Sequence, residues 1–167
     1  MHVSELMSKP VVTCRTGDNL DVAARLMWEY DCGVVPVIDA EGRLTGMVTD
    51  RDISMAAYTQ GKALWAIPVS TAMAKNVLAV HPEESVEGVE RLMREGQIRR
   101  VPVIDNRARP VGLVSINDLA RLTARAKKSG VDRELVQTLA AVCKPRAGVH
   151  EPHELTRRPE TALAAHA

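Results

Sequence analysis

The sequence predicts an α/β (α+β) fold built from two tandem β-α-β-β-α units packed as a pseudo-twofold pair. Three observations predict it. Residues 18–53 and 84–119 align without a gap at an offset of 66, with 13 of 36 positions identical. Each copy carries a continuous apolar run, VVPVI or VPVI, of the kind a strand buried on both faces shows. Phe is absent and Trp and Tyr number two each, so the core is made of Val, Leu, Ile, Met and Ala, and Val-rich cores favour strands.

The elements follow in order. A short strand is expected at residues 11–13 and again at 77–79. A helix comes next. Leu20, Ala24 and Met27 share one face at helical spacing, with Ala23, Leu26 and Tyr30 beside them. Asp18 or Asn19 can cap its start and Ser85 that of its counterpart, while Gly33 and Gly96 mark the exits. The apolar strands 34–38 and 101–104 follow. Each contains a proline, Pro36 or Pro102, which cannot donate to a ladder and so belongs at an edge or an irregular point. Turns at 39–42 and 105–108 lead into strands 44–48 and 110–114, and second helices open near Asp50 and Ile116.

A unit of about 60 residues buries little surface alone, so the two are expected to share one core. The organisation is repeat one at 3–60, a connection at 61–68, repeat two at 69–129, a C-terminal helix at 130–144 and a tail at 145–167. Trp65 in the connection is expected to pack rather than to stack on a ligand. The C-terminal helix is amphipathic, with Leu135, Leu139 and Val142 on one face, Val136 beside them and Pro145 ending it. The tail lacks useful periodicity and is expected to be disordered.

Composition excludes several function classes. Twenty-two Lys and Arg stand against 21 Asp and Glu, a formal net charge of +1, so the basic excess typical of nucleic-acid binding is missing. The densest basic stretch, residues 121–128, reads as a solvated helix end. Cys14, Cys32 and Cys143 are widely spaced, with no CxxC pair and no disulfide framework. No run is long enough to span a membrane and the N-terminus does not read as a signal peptide. A cytoplasmic location is expected by elimination.

The chemistry-bearing signature is repeated. Gly46, Thr49 and Asp52 in repeat one match Gly112, Ser115 and Asp118 in repeat two. A hydroxyl followed three positions later by an acid at a helix start makes a capping box. The same geometry serves a ligand. The hydroxyl and helix N-terminus can meet a phosphate, and the carboxylate can accept both hydroxyls of a ribose. Gly46 and Gly112 permit close backbone approach. Arg99 and Arg100 precede the second apolar strand where repeat one has Gly33 and Val34, so phosphate preference is expected at the Ser115/Asp118 site. Arg51 is a further phosphate candidate. His150 and His153 sit three apart beside Glu151 and Glu154, but no convincing metal site, nucleophile elbow or phosphate-binding loop is found, and no enzyme activity is expected.

With these residues in hand, the chain resembles tandem CBS (cystathionine beta-synthase) domains, the pair called a Bateman module. Residues 35–39 with 46–52 and 101–105 with 112–118 carry the likeness, together with the openings VSELM and VSTAM. It is also similar to stand-alone bacterial members, including hypoxic response proteins. The resemblance implies an adenosyl ligand such as AMP, ADP, ATP or S-adenosylmethionine in the cleft between repeats. It implies that Asp52 and Asp118 bind ribose and that Thr49 and Ser115 bind ribose or phosphate. It also implies that backbone groups near Val12, Thr13, Val35, Leu78, Ala79 and Val101 frame the adenine. It further implies a flat, disk-shaped homodimer. The expected function is adenosine-nucleotide sensing. The alternative is a structural or protein-interaction module without a nucleotide ligand.

Overall fold

The computed structural model describes residues 1–125 and 129–144. The tail at 145–167, with His150 and His153, lies outside the described residues, as do residues 126–128. Helix α1 (Val3–Leu6), strand β1 (Cys14–Arg15), helix α2 (Leu20–Glu29), strands β2 (Val34–Ile38) and β3 (Leu44–Thr49) and helix α3 (Asp50–Gln60) make the first half. A 3-10 turn (Leu64–Ala66) and helix α4 (Val69–Ala72) connect to helix α5 (Val86–Gly96), strands β4 (Arg100–Ile104) and β5 (Pro110–Ser115), and helices α6 (Ile116–Arg125) and α7 (Ser129–Val142). The expected alternation of two β-α-β-β-α units is observed.

The first strand of each unit falls later than expected. The ladder begins at Cys14, paired in parallel with Val37, and in the second unit it shrinks to a single bridge between Val80 and Val103. Residues 11–13 and 77–79 precede those pairings, and among the described residues no backbone hydrogen bond reaches them from another element. Apolar character placed the strand there; the ladder is set by where the chain comes alongside β2 and β4.

Strand β2 is central, between β1 and β3, so Pro36 is not at an edge. It is tolerated because its antiparallel partner Met47 exchanges both its backbone hydrogen bonds with Ala74 instead. Leu113, the partner of Pro102, does the same with Ser8. At such a non-bonded step a missing N–H costs nothing toward the antiparallel neighbour.

Those two bridges disclose the packing. The opening segment of each repeat lies on the other repeat. Val3 belongs to a cluster with Val86, Met93, Val103 and Leu119, while Ile67 and Val69 belong to a cluster with Leu20, Val35 and Val48. The buried residues therefore form two clusters, not the single shared core expected, because each opening segment completes the core of its neighbour. Gly46 and Gly112 make this possible. A Cβ at Gly46 would lie 2.5 Å from Met73 Sδ and 3.1 Å from the Ala74 carbonyl oxygen. One at Gly112 would lie 2.8 Å from Met7 Cγ. Their close approach is to a methionine of the exchanged segment.

The helix exits differ from expectation in a symmetric way. The left-handed residues are Asp31 and Gln97, both at φ 47°, rather than Gly33 and Gly96. Helix α7 packs on α5 and α6 through Leu135, Thr138 and Val142, while Leu139 and Val136 are exposed. Trp65 is 69% exposed, so it does not pack within the chain. Trp28, Tyr30 and Tyr58 are exposed as well, leaving every Trp and Tyr side chain outside the core.

Candidate functional site

The duplicated hydroxyl-x-x-Asp motif sits where a strand runs directly into a helix. In repeat one Thr49 is the N-cap of α3 in extended conformation. Its backbone N–H and its hydroxyl both donate to Asp52 Oδ2, at 2.9 and 2.7 Å, and the Asp52 N–H donates back to the hydroxyl at 3.2 Å. In repeat two Ser115 N–H and Oγ donate to Asp118 Oδ2 at 2.7 and 2.5 Å, and the Asp118 N–H donates to Ser115 Oγ at 3.3 Å. Both capping boxes are thus formed, and they hold each carboxylate in one orientation.

Beyond the boxes the two acids part company. Asp118 Oδ1 accepts from Ser8 Oγ at 3.1 Å and forms an ion pair with Arg121. Its side chain is almost wholly buried, and a hollow of about 230 Å³ lined by Glu5, Leu6, Ser8, Asp118, Arg121 and Leu122 lies against it. Asp52 is half-buried, and no protein group among the described residues donates to its Oδ1. Ser8 reaches Asp118 because the opening segment of repeat one lies on repeat two, bridged to Leu113. At the Asp52 site the matched residues are Ala74, from the opening segment of repeat two, and Met55 of repeat one, which cannot supply either contact.

Two of the remaining expected residues stand at the same strand ends. Val35 and Val101 are fully buried on β2 and β4, one residue past Val34 and Arg100, which pair with Thr49 and Ser115. Val12 and Thr13 are half-buried in the segment whose backbone is unpaired; Leu78 is exposed and Ala79 half-buried in its counterpart. Arg99 is exposed, and its carbonyl accepts from the Ile116 N–H at 2.9 Å. Arg100 behaves differently from the sequence expectation. Its guanidinium crosses to repeat one: a Cβ at Gly33 would lie 2.9 Å from Arg100 Nη2 and 3.2 Å from Asp50 Oδ2. The cation expected at the Ser115/Asp118 site therefore stands beside Gly33, near the start of α3. Gly33, singled out as a helix exit, matters as the space that guanidinium occupies. Arg51 is exposed, its N–H donating to Asp50 Oδ1 at 2.8 Å.

Other chemistry finds no support in this geometry. Among the described residues no group of three His, Cys, Asp or Glu side chains could hold a metal ion. Burial pushes the Cys14 thiol up to about 11, which suppresses its thiolate. No helix among the described residues is long and apolar enough to cross a membrane.

Residues 3–58 and 69–125 match the model of the CBS domain. The CBS domain-containing protein YhcV of Bacillus subtilis is 36% identical over 118 residues, covering 71% of this chain and 82% of its own length. Hypoxic response protein 1 of Mycobacterium tuberculosis is 31% identical over 143 residues, 86% of this chain and 94% of that protein. A crystal structure of Hypoxic Response Protein I, with two coordinated zinc ions, superposes at a TM-score of 0.66 with 31% identity over 72% of this chain and 98% of its own. A CBS domain pair crystallised with 5′-methylthioadenosine and S-adenosyl-L-methionine superposes at a TM-score of 0.68, with 30% identity over 74% of this chain and 96% of that chain.

Proposed function

The chain belongs to the CBS domain family as a tandem pair, and from that premise we propose that it is a regulatory module sensing an adenosine nucleotide between its repeats. One observation carries the reading. At the start of α3 a rigidly held carboxylate with an open oxygen stands two residues from Asp50, and the Arg100 guanidinium crosses from repeat two to the side of Gly33 that Asp50 also faces. A carboxylate accepts ribose hydroxyls, free backbone groups suit an adenine edge, and a guanidinium suits phosphate. The adenosyl ligands of the similar crystallised pair support the same class. AMP, ADP, ATP and S-adenosylmethionine are the ligands to test. The exposed Trp28, Tyr58 and Trp65 support a homodimer, and they would equally serve the second reading, a protein-interaction module.

Calorimetry with these four compounds tests the proposal. Saturable binding of at least one is expected, with Asp52→Asn weakening it about ten- to hundredfold, the range for a lost charge-assisted hydrogen bond. If none binds at millimolar concentration, the interaction-module reading replaces it.

A further inference from the structure

The two acids are equivalent in sequence and unequal in the structure. A carboxylate offers about four lone-pair positions. Asp118 fills all four: Ser115 N–H and Oγ on one oxygen, Ser8 Oγ and Arg121 on the other. Asp52 fills two, both from Thr49. We infer that the chain is a one-site sensor in its resting form, because Arg121 and Ser8 latch the Asp118 carboxylate shut while the Asp52 carboxylate stays open. This rests on the nucleotide reading above and names its regulation.

Three observations bear on it beyond the donor count. The latch residues have no functional counterpart at the Asp52 site, where Ala74 of repeat two and Met55 of repeat one stand at the matched positions. The hollow beside Asp118, at about 230 Å³, falls below the roughly 300 Å³ at which ligand pockets begin. The guanidinium of Arg100, which the sequence assigns to the Asp118 side, leans over Gly33 toward repeat one. A ribose approaching Asp118 must first displace both latch groups. Its observed affinity is reduced by the fraction of molecules in which the latch is open. Arg121 is a surface side chain on α6, so the latch is releasable, and Ser8 ties it to the exchanged opening segment.

The test is titration calorimetry with AMP on the full chain and on Arg121→Met combined with Ser8→Ala, with melting curves confirming that each variant folds. The wild type is expected to show one strong event per chain and a second at least about tenfold weaker. The double variant is expected to show two events of similar affinity, and adding Asp118→Asn should return it to one. Arg121→Gln alone should move the second event in the same direction. Two equal events in the wild type would overturn the latch while leaving nucleotide sensing intact, as would a latch-free variant with unchanged or weaker second-site binding. If none of AMP, ADP, ATP and S-adenosylmethionine binds any of these forms, the nucleotide reading falls, and the latch with it.

Discussion

At the scale of single residues, two glycines and two acids show how the same sequence position acquires different meanings. Gly46 and Gly112 stand beside the ligand motif, yet what approaches them is Met73 and Met7. Gly112→Ala is expected to destabilise the chain by about 1–3 kcal/mol, the usual cost of overpacking. Combining it with Met7→Ala should cost less than the sum of the two single changes, because the obstructing atoms belong to a flexible side chain. Gly46→Ala should be relieved in the same way by Met73→Ala, and relief should be partial at both sites, because the Ala74 carbonyl oxygen stays 3.1 Å from the new methyl at one and Met7 Cβ 3.1 Å from it at the other. Denaturant unfolding of the six variants measures this; strictly additive costs at either site would contradict the packing described. The hydroxyl-x-x-Asp motif itself was legible in the sequence, down to the capping bonds. The inequality of Asp52 and Asp118 was not, because Ser8 lies 110 residues from Asp118 and meets it only through the exchange.

Among the elements, the hairpin turns are the most faithful copies of one another. Asp39 accepts from the N–H groups of Glu41 and Arg43, and Asp105 from those of Arg107 and Arg109, which holds both carboxyls below the usual carboxylate range. At the left-handed position the turns differ: Gly42 has φ 81°, and the matched Ala108 has φ 58°. A non-glycine residue in that left-handed region costs roughly 1–2 kcal/mol. Ala108→Gly is therefore expected to raise unfolding free energy by up to about 1 kcal/mol, part of the gain being lost to the freer unfolded chain. A lower denaturation midpoint would show that the alanine methyl makes a compensating contact. The helices and paired strands were readable from periodicity and apolar runs. The first strand was misplaced because residues 11–13 look like a ladder and lie just outside one. The buried face of α7 was misread at Leu139 because Thr138, a polar residue, takes the inward position and accepts from Arg94 at 2.9 Å.

For the whole molecule, the repeats are alike in fold and unlike in what covers them. Helix α7 lies on α5 and α6 in repeat two. In repeat one, α2 contacts α3 and the 3-10 turn, and each of these three elements carries an exposed aromatic, Trp28 at 88%, Tyr58 and Trp65. Arg94, the match of Trp28, is held under α7 by its bond to Thr138. Aromatic side chains bury roughly 150–250 Å² each, so this layer supplies a large share of the roughly 800 Å² per partner of a standard interface. A second copy meeting the same face about a twofold axis is the expected occupant. Light scattering should give twice the 18.2 kDa chain mass at micromolar concentration, and Trp28→Glu should shift it toward the monomer. A monomer throughout would mean that the aromatic face serves another partner.

The exchange of opening segments also sets a timetable for synthesis. The ribosome releases the N-terminus first, but Val3 and Ser4 hydrogen-bond to Glu84 and Pro82, and Ser8 to Leu113 and Asp118. At about 5–20 residues per second, residues 3–8 wait roughly 5–20 seconds for their partners to be made. The first repeat meanwhile lacks Ile67 and Val69, which arrive after its own last helix. Neither half can mature as an independent unit during translation. The nascent chain carries an unclosed apolar surface until residues 82–118 have been made.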